Sequence, residues 1–189
     1  MAMINMIKKI IFITGGARSG KSQYAQELAS KFPGPKIYLA TAQPLDEEMA
    51  ERILRHKKSR PGDWQTLEEP FRVAEAIRKN GDHSSLILLD CLTLWISNLM
   101  MADWSEEKIL AEADRLLQAC QVVKCSLVIV GNEVGMGIVP DNPQARIFRD
   151  LSGLIQQKIA RKADEVYFMV CGLPQKIKGK NEKRIAQRA

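Results

Sequence analysis

FITGGARSGKSQYA, residues Phe12–Ala25, sets three glycines, a lysine and a serine between an apolar run and a stretch with helical spacing. Within it Gly15, Gly16, Ala17, Arg18, Ser19, Gly20, Lys21 and Ser22 match G-x-x-x-x-G-K-[ST], the pattern of a phosphate-binding loop. After a buried strand and at the head of a helix, such glycines let successive backbone N–H groups turn inward on phosphate oxygens. The helix N-terminus adds its partial positive charge. Lys21 then reaches the outer phosphates and Ser22 ligates Mg²⁺. The competing reading, a glycine-rich strand-to-helix turn that binds nothing, has to set aside both the matched positions and their context.

Outward from this loop, short apolar runs alternate with longer helical patterns. Lys9–Thr14, Lys36–Ala40, Ser85–Asp90, Ser126–Val130 and Glu165–Val170 read as buried strands, and their nearly continuous apolar character predicts a sheet covered on both faces. Lys21–Phe32, Asp46–Lys58, Arg72–Lys79, Ser105–Cys120 and Ala145–Ala163 read as helices, some stopped by Pro or Gly, as at Pro33-Gly34 and Gly81. Asp63–Leu67 reads as a short extra strand. The alternation predicts an α/β fold of the P-loop NTPase kind, a mostly parallel central sheet flanked by helices and joined by right-handed crossovers. Nucleotide is expected at the carboxyl ends of its strands.

A chain of 189 residues with 46% hydrophobic content suits one buried core. We expect a single domain over residues 1–173 and a basic, mobile tail over 174–189. Lys176, Lys178, Lys180, Lys183, Arg184 and Arg188 stand against Glu182 in that tail, so nearly all of the formal charge of +6 sits there. A nucleic-acid surface more often spreads Lys and Arg along a fold, so a solvated tail is favoured over a binding arm and no nucleic-acid partner is expected. No apolar run approaches the roughly 18–20 residues of a membrane span, which together with the unremarkable N-terminus predicts a soluble, cytoplasmic protein. Cys91, Cys120, Cys125 and Cys171 form no C-x-x-C pair and read as reduced thiols.

Four further places draw attention. Asp90 ends the run LILLD, where a second magnesium contact usually stands at the end of a neighbouring strand; it would also serve as a cap for the helix that follows at Leu92. His56 lies toward the end of DEEMAERILRHKKSRP and shares a helix face with Met49 and Ile53, among Arg52, Arg55, Lys57, Lys58 and Arg60. Those cations would attract phosphates and favour a neutral imidazole with a lone pair for attack, or they would merely complement the helix dipole on a solvated face. His83, in NGDHS, reads as a turn residue. Gly131–Pro140 reads as a shaped loop at a strand end, with Glu133 as a general base or as an acceptor that anchors the loop.

GGARSGKS, IYLATAQ, RHKKSRP, LLDCLT and NEVGMGIVP, in this order, resemble the bifunctional adenosylcobinamide kinase and adenosylcobinamide-phosphate guanylyltransferase family. The resemblance covers about Ile10 to Leu173. It implies an enzyme that phosphorylates the aminopropanol hydroxyl of adenosylcobinamide and then transfers GMP from GTP onto that phosphate, giving adenosyl-GDP-cobinamide. It implies a guanylylated histidine at the position of His56, with Lys21 as the other catalytic residue. Nucleotide contacts then fall on Gly15 to Ser22, Ala40, Thr41, Ala42, Lys57, Lys58, Ser59, Arg60, Glu68 and Asp90. Mg²⁺ would be held by Ser22 and Asp90, and GTP and ATP would be substrates. The family often shows Ser where this chain has Ala42 and Gly where it has Ser59. Its members are trimeric, so a homotrimer is expected. Two other readings stand beside this one: a P-loop kinase for a small metabolite, which has no need of His56, and a GTP-binding switch, against which the chain has no N-K-x-D guanine-reading motif.

Overall fold

A strand that is apolar at every position needs cover on both of its faces, since successive side chains point to opposite sides. The computed structural model describes residues 7–58 and 62–179. They run in the order β1 (Ile10–Gly15), α1 (Lys21–Ser30), β2 (Lys36–Ala40), α2 (Glu47–Lys58), β3 (Gln65–Glu68), α3 (Val73–Asn80), β4 (Leu86–Asp90), α4 (Leu92–Met101), α5 (Glu106–Val122), β5 (Ser126–Val130), α6 (Pro143–Lys162), β6 (Glu165–Val170) and β7 (Leu173–Lys178). The described residues build a seven-stranded sheet in the order β3-β2-β4-β5-β1-β6-β7. β1 to β6 run parallel, and β7 returns antiparallel on β6.

The period-two alternation divides the core into two layers. Ile10 and Phe12 of β1, Ile87 and Leu89 of β4, and Leu127 and Ile129 of β5 pack with Val73 and Ile77 of α3, Trp95 of α4, Leu116 of α5 and Ile155 of α6. The intervening residues, Ile11, Ile13, Leu86, Leu88, Val128 and Val130, pack on the other face with Ala25 and Ala29 of α1. Each fully buried Leu or Ile contributes about 1.5–3 kcal/mol. Small residues four apart on α1 let the helix lie close to the sheet, which seats its N-terminus against the end of β1.

Two expectations change here. The chain remains folded past Pro174: Leu173–Lys178 form β7, where a mobile tail was expected to begin. The basic residues of this stretch have partners far back in the sequence. Lys176 Nζ lies 3.2 Å from Glu165 Oε2, and Lys178 Nζ donates to the Ala160 and Arg161 carbonyls at the end of α6, each at 2.9 Å. What looked like a solvated charge run is thus matched to a carboxylate and a helix C-terminus. Residues 180–189 of the expected tail lie outside the described residues. The strand carrying Asp90 is also not a direct neighbour of β1, because β5 lies between them.

Candidate active site

The loop after β1 has the backbone its glycines foreshadow. Gly15 has φ +144°, and a Cβ placed there would come within 2.6 Å of the Met169 carbonyl oxygen, so only glycine permits this approach to β6. Gly20, at φ 90°, is the N-cap of α1 and offers no side-chain acceptor to the first turn, which leaves that role to an incoming anion. Lys21 is buried, and its Nζ donates to the Gly16 carbonyl at 2.5 Å and to Ser19 Oγ at 3.3 Å. Burial lowers the Lys21 ammonium from its ordinary range, with the Cys91 and Asp90 side chains acting in the opposite direction.

A cavity of about 440 Å³ opens at the carboxyl ends of β2, β4 and β5. Such a volume falls within the roughly 300–1,000 Å³ of small-molecule sites. Arg18, Ser19, Gly20, Lys21 and Ser22 line it from the loop, Tyr38, Ala40 and Ala42 from β2 and beyond, and Met49, Arg52, Ile53, Arg55 and His56 from α2. Asp90 and Asn132 complete its floor. No residue of α2 is fully buried, and Met49, Ala50, Ile53 and His56 are its half-buried positions. Glu47 and Glu48 at its start and Arg55, Lys57 and Lys58 at its end complement the dipole, and the same helix turns His56 into the cavity.

Asp90 accepts a hydrogen bond from the Tyr38 hydroxyl at 2.5 Å, through Oδ2. It does not cap α4. That position belongs to Cys91, whose Sγ accepts from the Leu94 amide at 3.4 Å. Burial pushes the Cys91 thiol up to about 12, so it stays protonated beside the cavity. Glu133 acts as the anchor rather than as a base aimed at the cavity. Its Oε1 accepts from the Gly135 amide at 2.6 Å and the Met136 amide at 3.1 Å.

Other expected contacts are placed differently. Thr41 is fully buried, with its hydroxyl donating to the Cys91 carbonyl at 2.7 Å and accepting from the Cys91 amide at 2.9 Å. It stitches β2 to β4 behind the cavity. Lys57 and Glu68 come together as an ion pair at 2.5 Å, joining the end of α2 to the end of β3, and neither they nor exposed Lys58 line the cavity. Gly16 and Ala17 belong to the loop without lining the cavity. Ser59 and Arg60 lie outside the described residues. His83 is exposed in a turn, its amide donating to the Asn80 carbonyl at 3.2 Å.

Gln156 was not singled out from sequence, and Tyr38 and Asn132 entered only inside the longer stretches IYLATAQ and NEVGMGIVP, with no role given to either. Gln156 joins the end of β1 to the loop after β5, accepting from Thr14 Oγ1 at 2.8 Å and donating to the Asn132 carbonyl at 2.8 Å. Tyr38 had a legible signal, a polar tip within an apolar strand that ends at the expected site. Gln156 had none, because nothing local to α6 reports which strand it meets.

A parallel sheet with a glycine-rich loop and a cation-lined cavity at its carboxyl edge defines a P-loop nucleotide-binding protein. The fold is shared with the RadB recombinase (TM-score 0.51, 13% identity, 85% of this chain and 73% of that one). It is shared too with an ATPase of a bacterial type III secretion system (TM-score 0.50, 13% identity, 90% of this chain and 57% of that one). At that identity the likeness concerns the fold. The chain belongs to the cobinamide kinase / cobinamide phosphate guanyltransferase family, whose model matches residues 11–177. Over 181 residues it is 42% identical to the bifunctional adenosylcobalamin biosynthesis protein CobU of Salmonella typhimurium and 40% identical to that of Escherichia coli, covering 89% of this chain and 99% of each relative. The corresponding protein CobP of Pseudomonas aeruginosa is 40% identical over 167 residues, 88% of this chain and 96% of that protein.

Proposed function

We propose that this chain phosphorylates the hydroxyl of adenosylcobinamide and then transfers GMP from GTP to adenosylcobinamide phosphate by way of His56. The observation that carries the reading is that His56 lines the same cavity as Lys21, Ser22 and Asp90. A kinase for a small metabolite would give a histidine on α2 no task. In the first reaction the acceptor hydroxyl attacks the terminal phosphorus of ATP or GTP and loses its proton, and the nucleoside diphosphate leaves. In the second, an imidazole nitrogen of His56 attacks the α-phosphorus of GTP, the bond to the β-phosphate breaks, and pyrophosphate departs. A phosphate oxygen of the corrinoid then displaces the imidazole, which returns to its starting form. Lys21 and the amides at the head of α1 stabilise charge on the phosphates in each step.

Ser22 and Asp90 bring hard oxygen donors to one cavity, and among the described residues no group of three His, Cys, Asp or Glu is placed to hold a metal by itself. That donor set fits Mg²⁺, which takes one or two protein oxygens and fills the rest with phosphates and water. Ser22 and the Asp90 oxygen not engaged by Tyr38 would hold it, and it would neutralise charge on the outer phosphates. A homotrimer is the assembly we infer from the family resemblance, and the cytoplasm the setting we infer from the sequence. No helix among the described residues is long and apolar enough to cross a membrane.

Incubation with α-labelled GTP tests the relay. Protein-bound label is expected, stable to alkali and released by mild acid as a P–N bond requires. His56→Ala is expected to abolish the label while phosphorylation of adenosylcobinamide continues. Label that persists in this variant, or that maps to Lys57 or Lys58, would remove His56 from the reaction.

A further inference from the structure

Residues 134–139, VGMGIV, follow the end of β5 without one charged side chain. Val134, Met136, Ile138 and Val139 are all exposed, Ile138 at 98%. Apolar surface gathered this densely marks a place where something docks. The segment is firmly held at both ends. The Asn132 amide donates to Thr93 Oγ1 at 2.6 Å, its carbonyl accepts from Gln156 at 2.8 Å, and the Glu133 amide donates to the Gly15 carbonyl at 2.9 Å. The Glu133 carboxylate gathers the Gly135 and Met136 amides, and the Arg146 guanidinium donates to the Pro140 and Asp141 carbonyls at 2.8 and 2.6 Å. Apolar side chains presented on a pinned loop lose little conformational freedom when a ligand covers them.

The position of the loop indicates which ligand. Its base is bonded to the first residue of the phosphate loop, and Asn132 lines the nucleotide cavity. The apolar segment therefore starts beside the site where a phosphoryl acceptor must arrive. A cavity of about 440 Å³ suits a nucleotide. A site of that size is matched to one small molecule, so in this reading the corrinoid ring rests outside while its aminopropanol arm enters. We propose that the Val134–Val139 loop is the docking surface for the macrocycle of the corrinoid acceptor. This rests on the function proposed above. One surface serves both reactions, because the same arm presents first its hydroxyl and then its phosphate.

The test uses the full chain with Met136→Ser and Ile138→Ser combined, and Ile138→Leu as the conservative variant. Loss of apolar contact is expected to raise KM about tenfold for adenosylcobinamide in phosphorylation and for its phosphate in GMP transfer, with kcat changed less. Ile138→Leu should retain the wild-type KM. Protein-bound label from α-labelled GTP, measured with no corrinoid present, should match wild type, as should the mass in solution by light scattering. Wild-type KM values in the double variant would overturn the proposal. So would a changed mass, which would assign the loop to a subunit contact, or a parallel loss of label, which would place its effect on the nucleotide site. A wild-type chain that turns over neither corrinoid would instead overturn the function itself, and this surface with it.

Discussion

Lys21 and His56 face one cavity with separable tasks. In the proposed chemistry Lys21 stabilises phosphate charge in each half, so Lys21→Ala should lower both kcat values by about 100-fold or more, the scale on which removal of a positioned electrostatic donor acts. Steady-state assays of phosphorylation and of GMP transfer check this, and a loss confined to one of them would refute the shared role. Asp90 contributes at the same scale. Its carboxylate is oriented by the Tyr38 hydroxyl, and Asp90→Asn should raise the Mg²⁺ concentration needed for half-maximal rate while the protein stays folded. Unchanged magnesium dependence would take Asp90 out of the metal site. The loop, Lys21 and Ser22 were legible in the sequence because glycine spacing and a following helix are local properties. The partnership of Asp90 with Tyr38 was not, since it joins residues on different strands.

Among the elements, α2 bears on function and β7 on the edge of the sheet. α2 carries His56 while burying none of its residues fully, so its seat on the molecule rests on a half-buried face and on the Lys57–Glu68 pair. β7 covers the outer edge of β6 and delivers Lys176 to Glu165. Truncation at Pro174 would strip that strand and leave β6 as an edge. A lost hydrogen bond to a charged group is worth about 2 kcal/mol. For a chain of this size that lowers Tm by roughly 4–8 °C. Thermal unfolding of the truncated chain measures it, and an unaltered melting curve would show that β7 adds nothing to the sheet. The other strand periods were readable from the sequence, whereas β7 reads as polar and basic because it is an edge strand with partners on β6 and α6.

At the scale of the molecule, Glu165 ties three strands together. Burial would raise its carboxyl, yet hydrogen bonds from Lys9, Tyr167 and Lys176 outweigh it and bring it down from 4.5 to about 2. A depressed carboxyl contributes stability that is complete above its unfolded value near 4.5 and is lost as pH falls toward 2. Glu165→Gln should therefore weaken the fold at neutral pH and flatten its loss of stability through that acid window, read from urea unfolding at a series of pH values. An unchanged slope would acquit Glu165. The sequence by itself determined the phosphate loop, the covered parallel sheet, the helix face shared by Met49, Ile53 and His56, and the family, because glycine conformations and periods of two and 3.6 residues are set between neighbours in the chain. The tertiary structure decided the strand order and the meeting of α2 with the loop at one cavity, because each depends on groups distant in sequence that only packing brings together; the anchoring task of Glu133 and the seventh strand are closer to local, a turn of two and three residues and a hairpin on β6, yet a polar, basic run and a lone carboxylate carry no apolar period to announce them.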